Sequence, residues 1–303
     1  MQEATHAHTS TLGTWRKLVL TLEMIKFEHS IFAMPFALTG AGLAWRYGRP
    51  DGAVAWKIGW ILVAMIGARS AAMAFNRLVD AAIDARNPRT KMRHLPAGLL
   101  SKSFAWGFFA ISTLLFLLAA AMLNPLCLKL APVALAVVLF YSWTKRFTSY
   151  SHLVLGLSLG IAPSAAWIAM TGSYDPRMLW LTAAVTFWTA GFDIIYSCQD
   201  ADFDLREGLY SMPARFGLRS ALNVSRGLHV LMVFCLAALA RSFGGGPAAW
   251  SGVALTAALL GWEHSLVRHD DLSRVDAAFF TLNGWIGVLY FICWVLDLTG
   301  VLG

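Results

Sequence analysis

Nine apolar stretches follow one another along this chain, at about residues 29–47, 56–82, 103–123, 126–143, 151–171, 177–197, 219–241, 247–266 and 276–299. A bilayer span takes about 20 mostly apolar residues, so most of these runs are long enough to cross as helices. Short polar breaks such as "RYGRPDG", "KRFTSYS" and "SFGGGP" separate them. The expected fold is therefore all-α: a polytopic membrane bundle of about nine helices around a central cavity. Composition agrees, because only 14% of the residues are charged, against about 25% in soluble domains. Pro35 and Pro163 fall inside spans and are expected to kink them.

Residues 1–28 read as a polar tail and a basic amphipathic helix at the membrane interface, carrying Arg16, Lys17 and Lys26. Residues 29–303 read as one domain, with no linker or shift in composition. No cleavable signal is evident in "MQEATHAHTS". The four cysteines, Cys127, Cys198, Cys235 and Cys293, lack metal-ligand spacing and read as small buried hydrophobes. Alternating the loops between two sides puts sixteen Lys and Arg on the side of the N-terminus and six on the other. By the positive-inside rule the N-terminus is expected in the cytoplasm, across an inner (cytoplasmic) bacterial membrane. The net charge of +7 lies in short loops between spans, which argues against a nucleic-acid partner and for an anionic ligand at the cytoplasmic face.

The chain has only seventeen acidic residues, and two groups stand where spans end. "FNRLVDAAID" places Asn76, Asp80 and Asp84 four residues apart at the end of the second span. "YSCQDADFD" repeats the spacing with Tyr196, Asp200 and Asp204 at the end of the sixth. Residues at i, i+4 and i+8 share a helix face. Each row alone reads as solvated helix ends or as partners for nearby arginines. Two such rows beside the most basic loops point to a site, because ionisable clusters at membrane depth are costly to keep. Close carboxylates repel unless cations neutralise them, and oxygen donors favour hard ions such as Mg²⁺, which typically binds one or two carboxylates plus phosphate oxygens. Arg89 and Arg93 follow the first row, Lys145 and Arg146 occupy the next loop on that side, and Arg206 and Arg215 follow the second row. Carboxylates, Mg²⁺ and basic side chains together suit a diphosphate, and a diphosphate inside a membrane bundle implies a polyprenyl tail.

At these residues the chain resembles the UbiA superfamily of intramembrane prenyltransferases, which has nine helices, an NxxxDxxxD motif and a later DxxxD preceded by a tyrosine. The resemblance runs from "FEHSIFAMPFAL" to the last span and includes "NPRTKMRHLPAG" and "YSWTKRFT". "ARSAAMAFNRLVD", "SHLVLGLSLGIAP" and "GFDIIYSCQDADFD" resemble the 4-hydroxybenzoate polyprenyltransferase group, including a branch linked to futalosine-derived menaquinone. The chain departs from the family at Gln199, where a basic residue often precedes the second motif.

The resemblance implies transfer of a polyprenyl group from polyprenyl diphosphate to a ring carbon of an aromatic acceptor in quinone biosynthesis. That acceptor is 4-hydroxybenzoate or a similar hydroxy-aryl carboxylate, or alternatively 1,4-dihydroxy-6-naphthoate. Asn76, Asp80, Asp84, Asp200 and Asp204 are the expected metal set, for two Mg²⁺ ions bridging the diphosphate. Asn76, Arg89, Arg93, Lys145, Arg146 and Tyr196 are the expected diphosphate contacts. Asp193, two turns deeper, is the candidate to orient or deprotonate the acceptor, and Arg69 the candidate for its carboxylate. Glu28 and His29 are read as interfacial and Asp202 as solvated. His94, His152, His264 and His269 are assigned no chemistry. "GLSLG", residues 156–160, fits close helix packing. Two other classes stay open on residues alone: an ion-coupled secondary transporter, and a lipid-binding or assembly protein with a degenerate site.

Overall fold

The computed structural model describes residues 14–25, 32–50 and 52–300. Lys26, Glu28 and His29 lie outside the described residues. Helix α1 spans Thr14–Met24, and α2, Met34–Leu43, continues as a π-helical turn to Gly48. The long α3 is Val54–Arg86, followed by α4 (Lys102–Leu123), α5 (Pro125–Thr144) and α6 (Ser151–Thr171). Helix α7 is Met178–Ser197, and a 3₁₀ turn at Cys198–Asp200 joins it to α8, Ala201–Arg206. Helices α9 (Met212–Phe216), α10 (Leu218–Ser242) and α11 (Pro247–Leu266) follow. A π-helical turn, Ala277–Leu282, leads into α12, Asn283–Thr299.

Among the described residues seven helical segments are long and apolar enough to cross a membrane. The two other expected spans correspond to α2 with its π-helical extension and to α11, which Glu263 and His264 make less apolar. The protein is an integral, multi-pass membrane protein. Pro35 does not kink a span. It stands in the first turn of α2, where proline's missing N–H is one of the helix's free donors anyway. Pro163 lies inside α6, as expected. The four cysteines are free thiols.

Helix α7 is the most buried span and α5 the least. Lipid tails are as apolar as leucine, so packing here rests on dispersion and close approach rather than on the hydrophobic effect. The core gathers α2, α6, α7, α10 and α12 around Phe36, Trp188, Phe192, Ile286 and Trp294. Trp188 meets Phe36 and Phe192 with ring centroids 5.0 Å from each. The "GLSLG" glycines let α6 lie directly on α7: a Cβ on Gly160 would come within 2.6 Å of the Thr182 carbonyl. Helix α1 is anchored by Met24 and Ile25, which pack with Ala74, Ala81, Leu95, Leu100 and Ala105. This packing leaves a cavity between α3, α5, α6 and α7.

Candidate active site

Asn76, Asp80 and Asp84 lie on the last turns of α3. Asn76 Nδ2 donates to Asp80 Oδ2 at 2.9 Å. Asp80 and Asp84 are 3% and 4% exposed, and buried carboxylates demand partners. Arg146 donates to Asp80 Oδ1 at 2.9 Å, and Lys145 Nζ lies 3.5 Å from Oδ2. Arg93 donates to both oxygens of Asp84, at 2.8 and 2.9 Å, and Arg77 stands 3.7 Å away.

Pro88 explains where α3 stops. The residue before a proline is pushed out of the helical region, and Asn87 is extended, with φ −82° and ψ 119°. The chain then turns across the mouth of the bundle towards α7. Asn87 Nδ2 donates to Asp200 Oδ1 at 3.1 Å, while Asn87 Oδ1 accepts from the Arg89 N–H at 2.9 Å. Arg89 Nε donates to Asp200 Oδ1 at 2.9 Å, Nη1 donates to the Tyr196 hydroxyl at 2.8 Å, and Nη2 contacts the second Asp200 oxygen. Burial by itself would lower the Arg89 pKa, but the hydrogen bonds and charge of Asp200 outweigh it and raise it. Arg89 is a permanent cation.

The second row is not one regular helix face. Tyr196 is the penultimate residue of α7, Asp200 closes the 3₁₀ turn with φ −103° and ψ 2°, and Asp204 lies on α8. The tighter turn changes the angular offset from Tyr196 to Asp200, and Asp200 meets the Asn87–Arg89 loop. Asp204 is buried, and its backbone carbonyl accepts from the Leu209 N–H at 2.8 Å.

Both acidic rows line the same cavity, of about 630 Å³. Asn76, Asp80, Asp84, Asp200, Asp204, Asp193, Tyr196, Arg69, Arg89, Arg93 and Lys145 all border it. Its remaining wall is mainly apolar, with Ile61, Met65, Phe116, Leu130, Val133 and Ile168. Arg146 is not among the lining residues. Its guanidinium joins Asp80, the Val79 carbonyl and the Ser142 carbonyl, so it holds Asp80 rather than facing the cavity. Arg206 and Arg215 do not border it either: Arg206 is bonded to the Asp202 carbonyl, and Arg215 is exposed. Gln199 turns away to Asp276, at 3.2 Å, and Asp202 is exposed.

Among the described residues no three His, Cys, Asp or Glu side chains converge into a ready-made metal cage. The donors are nevertheless hard oxygens from two sides of one cavity, which suits Mg²⁺ arriving with a diphosphate that supplies further oxygens. Asp193 is bonded to His152, with Nδ1 2.7 Å from Oδ2. The sequence assigns no chemistry to His152 and does not single out Asn87 or Arg77 for the site. Asn87 was within reach, since an Asn-Pro directly after the first motif marks the turn. Nothing local announces the His152–Asp193 pair, whose members lie 41 residues apart.

The model of the UbiA prenyltransferase family matches residues 33–285. The chain is 30% identical over 221 residues to a 4-hydroxybenzoate octaprenyltransferase of Vibrio atlanticus (strain LGP32), covering 73% of this chain and 77% of that protein. In structure it is similar to the apo form of a UbiA homolog from Aeropyrum pernix K1, with TM-score 0.80, 35% identity, and 89% and 98% of the two chains covered. It also shares the fold of a UbiA homolog from Archaeoglobus fulgidus bound to GPP and Mg²⁺, with TM-score 0.72, 19% identity, and 92% and 99% covered.

Proposed function

The chain belongs to the UbiA prenyltransferase family, and from that premise we propose that it transfers a polyprenyl group from a polyprenyl diphosphate to a ring carbon of an aromatic hydroxy-carboxylate, in a Mg²⁺-dependent reaction of quinone biosynthesis. The observation that carries this proposal is the shared cavity. Five oxygen-donor side chains and the cations Arg89, Arg93 and Lys145 stand on an otherwise largely apolar chamber. The similarity to the Vibrio 4-hydroxybenzoate octaprenyltransferase supports 4-hydroxybenzoate as the acceptor. The Mg²⁺ and GPP of the Archaeoglobus homolog agree with the donor chemistry here.

Asn76, Asp80, Asp84, Asp200 and Asp204 would hold the metal, one ion or two. Bound Mg²⁺ would neutralise charge on the diphosphate and make it a better leaving group. Arg89, Arg93 and Lys145 leave their carboxylates to take diphosphate oxygens, and Tyr196 supports Arg89. The allylic C–O bond breaks with its electron pair on the departing diphosphate, and the apolar wall excludes water from the resulting cation. The ring carbon beside the phenolic oxygen then attacks, and Asp193 accepts the ring proton. Arg69 takes the acceptor carboxylate.

By charge asymmetry the acidic mouth faces the cytoplasm of a bacterial inner membrane. Helix α1 rests there at the interface, with Val19 and Leu22 exposed.

Labelled farnesyl diphosphate and Mg²⁺, offered with 4-hydroxybenzoate or with 1,4-dihydroxy-6-naphthoate, test the acceptor. Prenylated 4-hydroxybenzoate is expected. Turnover of the naphthoate alone would move the enzyme to the menaquinone branch, and turnover of neither would defeat the proposal. A transporter has no support beyond charged helix ends.

A further inference from the structure

Resting on the proposed role of Asp193, we propose that His152 is a positioning residue that presents the Asp193 carboxylate to the acceptor in a fixed orientation. His152 is the second residue of α6 and is 3% exposed. Its Nδ1 lies 2.7 Å from Asp193 Oδ2, and its Nε2 lies 3.3 Å from the Met212 backbone nitrogen. These two partners fix the ring's tautomer. A backbone N–H can only donate, so Nε2 accepts and carries no proton. The neutral imidazole then carries its proton on Nδ1 and donates it to Asp193, which accepts as a carboxylate. A doubly protonated ring would set two N–H groups against each other at Met212. His152 occupies Oδ2 and leaves Oδ1 for the cavity that Asp193 lines.

The Met212 bond matters because of where it sits. Met212 opens α9, and its N–H is one of the donors that a helix start leaves free. The loop before it sends the Tyr210 N–H to the Lys145 carbonyl and the Leu209 N–H to the Asp204 carbonyl, both at 2.8 Å. One buried ring thus ties the carboxylate proposed for the acceptor to the loop that braces the diphosphate end.

In the reaction a C–C bond forms between the prenyl cation and the ring carbon. The C–H electron pair then returns to the ring, and the proton passes to Asp193 Oδ1 and on to water. His152 keeps its own proton throughout, so its contribution is orientation.

Three substitutions separate this role from simple bracing of the loop. His152→Asn retains an N–H near the Nδ1 position. His152→Gln places an amide oxygen near the Nε2 position for Met212. His152→Leu provides neither. Each purified variant is assayed with farnesyl diphosphate, Mg²⁺ and the acceptor that the wild type uses. A melting curve with Mg²⁺ and pyrophosphate serves as the folding check. The expected result is a kcat within about threefold of wild type for Asn, and a fall of roughly tenfold to a hundredfold for Gln and Leu. The KM for prenyl diphosphate stays unchanged in Gln, which keeps an acceptor for Met212. If Leu does not fold, the Asn and Gln pair still decides. Full activity in Gln with a loss in Asn would reduce His152 to a loop tether and overturn the inference, as would three variants equal to wild type. Asp193→Asn is run beside them. Its inactivity beside an active Gln variant condemns the His152 inference alone. Its full activity removes Asp193 from the reaction and His152 with it. A wild type inert towards both acceptors defeats the proposed function itself.

Discussion

Arg89, on the loop after α3, grips Asp200, on the 3₁₀ turn after α7, through two nitrogens and so joins residues 111 positions apart. Without ligand, that ion pair neutralises both groups. On the proposed function, a diphosphate would take Arg89 for itself, and the freed Asp200 would then become available to metal. Charge would then exchange partners at the site rather than being buried anew.

Arg89→Ala should lower kcat/KM for prenyl diphosphate by about tenfold to a hundredfold, the worth of losing charge-assisted hydrogen bonds. Arg89→Lys should recover only part of this, because an ammonium lacks the planar fork. Steady-state kinetics at saturating acceptor measure both. An Arg89→Ala enzyme with an unchanged KM would remove Arg89 from diphosphate binding.

Mg²⁺ and diphosphate should bind synergistically. Asp80, Asp84 and Asp200 are engaged by Arg77, Arg89, Arg93, Lys145 and Arg146, and among the described residues no metal cage stands ready. Mg²⁺ alone should shift the melting temperature little, whereas Mg²⁺ with pyrophosphate should raise it by about 4 °C or more. Equal shifts from metal alone and from the pair would mean that the acids already form a metal site.

Asp84→Asn should destabilise the fold as well as reduce activity. It leaves Arg77 and Arg93 without their shared carboxylate, a loss of about 3 kcal/mol for a broken buried pair. Asp202→Asn, at an exposed position, should stay within about 0.5 kcal/mol of wild type. Unfolding in mild detergent compares the two, and equal stability would show that the Asp84 pairs carry no net weight.

Gly160→Leu should separate α6 from α7, since even a Cβ would come within 2.6 Å of the Thr182 carbonyl. The shift would carry Asp193 and Tyr196 away from the cavity. A sharp loss of folded protein is expected on size exclusion, and a normal yield of active enzyme would contradict the packing.

The spans and both acidic rows were legible because apolar length and four-residue spacing are local properties. The end of α3 was legible in principle, since Pro88 forbids its continuation. The 3₁₀ turn at Cys198–Asp200 was not: "SCQD" carries no proline or glycine, and the turn is a tertiary outcome at the junction of α7 and α8. Arg206 and Arg215 looked equivalent to Arg89 in sequence, yet only Arg89 lines the cavity, because loop direction rather than proximity in the chain decides reach. His152 gave no signal because its meaning depends on Asp193 and Met212, brought to it by two other helices.

The most direct measurement is transfer of labelled farnesyl groups by membranes containing this chain, with and without Mg²⁺, alongside Asp80→Ala. Product is predicted only with the metal, with a loss of about a hundredfold or more in the variant. Equal product in the absence of metal, or full activity in Asp80→Ala, would contradict a site in which two acidic rows hold a metal-bound diphosphate.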